Sequence, residues 1–89
     1  MTLSEYADII RERIINSIKD PKMIKEIINA AESHLIKNDI PVSERKWFWE
    51  YIAQQLNGQR PAIKAQSSDA LSQAVEFVLA QLASISNGN

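Results

Sequence analysis

Apolar side chains recur every three or four residues along most of the chain, and this spacing predicts four α-helices. In residues 3–19 one apolar line is formed by Leu3, Ala7, Ile10, Ile14 and Ile18. A helix takes 3.6 residues per turn, so such positions share one face. Residues 21–37, 43–56 and 69–86 show the same periodicity, and no segment alternates with the period of two that is typical of strands. The pattern predicts an all-α fold over residues 1–89, a compact single domain similar to a four-helix bundle.

Two helix starts are marked by capping residues. Thr2 followed by Glu5 is typical of a capping box, in which the hydroxyl accepts from one backbone amide and the carboxylate from another. Asp20 before Pro21 is typical of a second start, because aspartate caps well and proline at the first helical position loses no hydrogen bond. We therefore expect the first two helices to be separate and, because the joint between them is short, to pack as antiparallel neighbours or at a steep corner.

The last two helices are separated by the longest connection in the chain. Ser43 is the predicted cap of the third helix, and Asn57 with Gly58 is typical of a left-handed helix end. Ser67 or Ser68 is the predicted cap of the fourth helix.

The segment RKWFWEY, residues 45–51, contains more aromatic rings than one helix face can bury. Phe48 and Trp49 fall with the apolar positions of the third helix and are predicted to be core. Trp47 lies roughly 200° from Trp49 around the axis, and Tyr51 follows it by one turn. Trp47 and Tyr51 therefore form a second aromatic strip, either covered by the connection 57–67 or exposed to a partner.

The exposed alternative predicts a partner-binding surface. Tryptophan, tyrosine and arginine are the residue types most enriched at binding hot spots. Ile9, Ile36 and Phe77 fall outside the apolar stripes of their helices, so we expect some surface to be shared with another chain. The predicted partner-binding residues are Arg45, Lys46, Trp47, Tyr51 and Phe77.

The residues that usually carry catalysis or bind cofactors are sparse. The chain contains no cysteine, one histidine and two glycines. A thiolate zinc site, thiol catalysis and a glycine-rich phosphate loop are therefore excluded. His34 has neither a second histidine nor a nucleophile at a motif spacing, so we expect it to be half-buried at a helix boundary. The sequence predicts no enzyme, no metal site and no small-molecule cofactor.

Charge and hydropathy favour a protein partner in the cytoplasm. The net charge is −1, and no apolar run approaches the ~20 residues of a membrane span. The N-terminal segment lacks the basic residues of a secretory signal. We expect a helical adaptor, inhibitor, immunity-type or assembly factor that binds another protein or itself. The alternative is a nucleic-acid-binding patch, which Glu44 and Glu50 disfavour, formed by Arg45, Lys46, Trp47, Arg60 and Lys64.

Overall fold

The computed structural model describes residues 1–58 and 68–87, and in this part of the chain the regular elements are all α-helices. They are α1 (Leu3–Asn16), α2 (Pro21–Lys37), α3 (Val42–Gly58) and α4 (Ser68–Asn87). The predicted all-α, four-helix bundle-like fold is therefore confirmed.

The two predicted helix starts are confirmed in atomic detail. The backbone N–H of Glu5 donates to Thr2 Oγ1 at 3.1 Å, and the backbone N–H of Thr2 donates to Glu5 Oε1 at 2.7 Å. The backbone N–H of Met23 donates to Asp20 Oδ1 at 3.2 Å, with Pro21 at the first helical position. Each cap satisfies amides that the first helical turn leaves without partners.

Three predicted boundaries are wrong. The first helix ends at Asn16 rather than at residue 19, because the amide of Ser17 is shared between the carbonyls of Arg13 and Ile14 and a turn follows. Ser43 is not a cap, since α3 already begins at Val42. The carbonyl of Pro41 accepts from the backbone N–H groups of Glu44 and Arg45. Gly58 lies inside α3, and no described glycine has a positive φ.

The end of α2 uses an aspartate where many helices use glycine. Asp39 has a φ of 58°, in the left-handed region. Its amide donates to the carbonyl of Ile36 at 3.0 Å, and the amide of Ile40 donates to the carbonyl of Leu35 at 3.1 Å. These two bonds define a Schellman motif, which also brings Ile40 back against Leu35 and the core. Short polar side chains such as that of Asp39 tolerate this conformation better than most. Of the two predicted caps of the fourth helix, Ser68 is wrong because it is already the first residue of α4, and Ser67 lies outside the described residues.

The most extensive helix contacts follow the order α1, α3, α4, α2 around the bundle, and Glu32 of α2 also reaches across to α3. Contacts between α1 and α3 advance in the same direction along both helices: Tyr6 stacks on Phe48, and further along Tyr51 bonds to Asp8. These two helices therefore run parallel. A short turn joins α1 to α2, and Tyr6 near the start of α1 contacts His34 near the end of α2 at 5.1 Å between ring centroids. Of the two expected arrangements, α1 and α2 therefore take the antiparallel one.

The core is formed by the predicted faces. Phe48 and Trp49 are fully buried and meet edge to face, with ring centroids 4.8 Å apart. This arrangement is favourable for two aromatic rings. The described core contains no fully buried polar residue. The remaining buried side chains are Ala7, Ile10, Ile14, Ile24, Ile28, Ala31, Leu35, Ile52, Ala53, Leu56, Leu71, Ala74, Val75, Val78 and Ile85.

Candidate partner-binding surface

Trp47 and Tyr51 form one stacked aromatic pair on the outside of α3. Their ring centroids lie 5.2 Å apart and their planes differ by 19°. Trp47 is 44% exposed, whereas Tyr51 is half-buried and packs against the core. We call this pair the α3 aromatic surface. The indole ring of Trp47 is partly exposed to solvent and stacks on Tyr51, which packs against the core.

A hydrogen bond from Tyr51 to α1 holds the tyrosine ring in place. The hydroxyl of Tyr51 donates to Asp8 Oδ1 at 2.9 Å. This bond, with burial as a second cause, raises the pKa of Tyr51 above its ordinary value. Because α1 and α3 run parallel, Asp8 lies level with Tyr51. The tyrosine ring is therefore held from two sides, by its helix and by Asp8.

The two tryptophans differ in how their indole nitrogens are satisfied. Nε1 of buried Trp49 donates to Glu32 Oε1 at 3.0 Å, as a buried indole requires. Within the described residues, Trp47 has a ring contact but no hydrogen bond from its indole N–H. The described residues therefore leave part of the Trp47 ring and its N–H uncovered, while residues 59–67, most of the connection expected as a possible cover, lie outside the described residues.

Arg11 borders the α3 aromatic surface on the α1 side. Its Nη1 donates to Gln55 Oε1 and its Nη2 to Glu12 Oε1, each at 3.2 Å, and Asp8 Oδ1 lies 3.7 Å from Nη1. The side chain is only 18% exposed. Its Nε is buried and has no hydrogen-bond partner among the described residues. Arg11 therefore acts mainly as a link between α1 and α3, and its charge is largely offset by the two carboxylates.

Of the five predicted partner-binding residues, the structure brings Trp47 and Tyr51 together and places the other three elsewhere. Arg45 is mostly buried against α2, where Nε donates to Glu32 Oε2 at 3.0 Å and Nη1 to the carbonyl of Ile40 at 2.7 Å. These bonds occupy Arg45 within the chain. Its inclusion in a basic patch beside Trp47 therefore has no support from the geometry.

Lys46 and Phe77 also lie apart from the α3 aromatic surface. Lys46 is half-buried and, as the residue next to Trp47, lies about 100° away from it around the helix axis. Phe77 is half-buried on α4, where the ammonium of Lys25 on α2 lies 4.9 Å from its ring centroid. Partner binding by Lys46 or Phe77 stays a prediction, but it would require a second contact region.

The apolar residues outside the predicted stripes are only partly exposed. Phe77 packs against the core and Ile9 is half-buried, so these two are covered in part by their own chain. Ile36 is exposed on α2. Self-association through these positions stays a prediction, with Ile36 as its strongest remaining support.

His34 is exposed rather than half-buried as expected. It lies beside the ring of Tyr6 and within 3.4 Å of the Asn38 side-chain nitrogen. A cavity of about 220 Å³ lies next to it, and a second cavity, of about 400 Å³, is lined by both His34 and Glu26. Among the described residues, no three His, Cys, Asp or Glu side chains are grouped so that they could hold a metal ion. The expectation that His34 takes no part in catalysis stays a prediction.

Sequence reasoning missed Glu32, which joins Arg45 and Trp49 through its two carboxylate oxygens. The signal was available. Glu32 lies on the apolar face of α2 between Ile28 and Leu35, and a charged residue on such a face requires a buried partner. The contact of Asp8 with Tyr51 could not be found in this way, because it depends on α1 and α3 being parallel neighbours.

In the part of the chain that the structure describes, none of the helices has the length and apolar character needed to cross a membrane. No protein-family model matches the chain, and no curated protein or solved structure is significantly similar to it.

Proposed function

We propose that this chain is a non-catalytic protein-binding module of the cytoplasm, and that it docks a partner protein through the α3 aromatic surface. The observation that carries the proposal is the exposure of Trp47 on a fixed platform. A tryptophan that is 44% exposed leaves apolar area in water that association can bury. Tryptophan and tyrosine are also the types most often found as hot spots.

Preorganisation supports the same proposal. Tyr51 is held by its bond to Asp8, and Trp47 is stacked on Tyr51. Ordering a mobile side chain at an interface costs about 0.5–1.5 kcal/mol, and a ring that is already held avoids much of this cost. The arrangement suits recognition better than it suits core packing, since the indole N–H of Trp47 has no partner among the described residues.

The nucleic-acid alternative has less support. Arg45 is tied to Glu32, and Lys46 is half-buried and does not share the face of Trp47. Arg60 and Lys64, the other two residues of the expected basic patch, lie outside the described residues. The described surface next to Trp47 therefore lacks the exposed cations that phosphate contacts need.

Affinity capture with two matched variants tests the proposal. Trp47→Ala removes the exposed ring, and Leu79→Ala removes a side chain of similar exposure, 46%, from α4. We expect wild type and Leu79→Ala to capture the same specific protein from the source cell, and Trp47→Ala to weaken that complex at least tenfold, as for a hot spot. Sedimentation velocity of the purified variants applies the same comparison to self-association.

Two results would contradict the proposal. In the first, Trp47→Ala captures the same proteins as wild type with the same affinity while Leu79→Ala also has no effect. In the second, the wild-type chain binds DNA or RNA with an affinity that falls steeply with salt, which is the signature of phosphate contacts.

A further inference from the structure

Exposed carboxylates flank Trp47 along its own helix. Glu44 lies three residues before it and Glu50 three residues after it, and both are exposed. Residues three apart are neighbours on a helix surface, so both side chains can reach the edge of the indole ring. Gln54, two turns beyond Trp47 on the same line, is exposed and uncharged. The α3 aromatic surface therefore lies between two negative charges on α3.

The α1 side adds further negative charge. Asp8 holds Tyr51 and is still 47% exposed, and Glu12 is 59% exposed. Two described cations lie nearby: Arg11, which is 18% exposed and interacts with both of these carboxylates, and Lys46, which is half-buried and lies one turn before Glu50. Among the described residues, Asp8, Glu44 and Glu50 therefore border the aromatic pair, Glu12 lies beyond Arg11, and neither cation is fully exposed. The whole chain carries a net charge of only −1, so this excess of negative charge is local.

An exposed indole face bordered by carboxylates is complementary to a cationic side chain. Lysine and arginine bind the face of tryptophan more favourably than that of other rings, and nearby carboxylates add hydrogen bonds and Coulomb attraction. Complementary potentials also speed association and disfavour partners of the wrong charge. A phosphate group would be repelled by the same carboxylates.

We infer that the occupant of the α3 aromatic surface is a lysine- or arginine-bearing segment of a partner protein, with one cationic side chain stacked over Trp47 and others paired with the surrounding carboxylates. This inference rests on the proposed function and adds the chemistry of the partner. The acidic residues alone would not define a site. The exposed, preordered aromatic pair defines it, and the charges determine what fits there.

A random peptide library displayed on phage and selected on the full chain tests the inference. Peptides that bind wild type but not Trp47→Ala are sequenced and synthesised. We expect them to be enriched in lysine and arginine. The double variant Glu44→Gln with Glu50→Gln should weaken their binding about three- to tenfold at low salt, since exposed pairs contribute little each. The matched control, Glu26→Gln with Glu76→Gln, removes two exposed carboxylates from α2 and α4 and should leave binding unchanged.

The outcomes separate the inference from the proposed function. If the Trp47-dependent peptides are neutral or acidic, or if they bind the Glu44→Gln, Glu50→Gln variant as well as wild type, the cationic partner is wrong and the binding surface stands. If no peptide depends on Trp47, both the cationic partner and the proposed function are wrong.

Discussion

Trp49→Ala should mainly reduce stability, whereas Trp47→Ala should mainly weaken partner binding. Trp49 is fully buried, packs edge to face on Phe48 and donates to Glu32. Truncating a buried aromatic costs about 3–5 kcal/mol, and here it also removes the donor of a buried carboxylate. Domains of this size unfold with roughly 4–13 kcal/mol, so Trp49→Ala should lose a large share of the free energy of unfolding.

The cost of Trp47→Ala should be much smaller. A buried aromatic hides about 150–250 Å². Trp47 hides roughly half of its surface, which corresponds to an upper limit of about 3 kcal/mol at 25 cal/mol per Å². Residual burial in the unfolded chain and the better helix propensity of alanine reduce this value. We expect a loss of about 1–2 kcal/mol, with the helical fold retained at room temperature.

Urea unfolding followed by far-ultraviolet circular dichroism measures both costs on the same scale. The chain contains two tryptophans, so each variant also leaves a single tryptophan whose fluorescence can be excited selectively. The remaining Trp49 should be shielded from acrylamide, and the remaining Trp47, in a Trp49→Phe variant, should be quenched readily. If the two alanine variants differ by less than about 1 kcal/mol, or if Trp47 is shielded, the division into a core ring and a binding ring is wrong.

Charged groups at three other positions provide further tests. Glu32→Gln leaves one carbonyl oxygen to accept from two buried donors on α3. It should lower the free energy of unfolding in urea by about 2–4 kcal/mol. A loss below about 0.5 kcal/mol would contradict the contacts assigned to Glu32. The bond from Tyr51 to Asp8 raises the pKa of Tyr51 above 10.0. The stabilising effect of this bond is therefore present below pH 10.0 and is lost as pH rises through the raised pKa. Asp8→Asn should lower the pKa of Tyr51 in an ultraviolet titration, and an unchanged pKa would count against the bond. The capping-box hydrogen bonds lower the pKa of Glu5 below 4.5. The contribution of Glu5 to stability is therefore present above pH 4.5 and is lost as pH falls through the lowered pKa. A carboxyl titration by NMR that gives a pKa of 4.5 or more for Glu5 would refute this.

The core faces of the helices could be predicted from the sequence because burial follows the helical period. Phe48 and Trp49 are predicted to be core because they lie beside Ile52 and Leu56 at helical spacing, and all four are buried. Helix starts with a strong local signal were also predictable: the Thr2 capping box depends on side chains only three residues apart.

Helix ends were harder to predict because their signals compete with packing. Asn57 and Gly58 have the residue types of a left-handed stop, but α3 continues through Gly58. Asp39, a less common choice, takes the left-handed conformation instead. There the contact of Ile40 with the core favours the turn, and this contact becomes visible only once the helices are packed.

The candidate surface was only half predictable. Helical phase places Trp47 and Tyr51 on one side of α3, and the structure agrees. The prediction also groups the sequence neighbours Arg45 and Lys46 with Trp47, but on a helix Lys46 points about 100° and Arg45 about 200° away from it. Arg45 lies one turn before Trp49, and both side chains reach Glu32 on α2. Which residues of α1 border the pair depends on the packing order of the helices, which no local pattern contains.

Site-specific photo-cross-linking tests the α3 aromatic surface most directly. Gln54 is exposed on the same line of α3 as Trp47, so a benzophenone side chain at this position would lie beside the pair without replacing either ring. Irradiation in the source cell should give one discrete covalent adduct with a protein. The adduct should disappear when Trp47→Ala is added, and the same probe at Leu79 should give none. An adduct that persists without Trp47, or none from position 54, would contradict a partner-binding role for this surface.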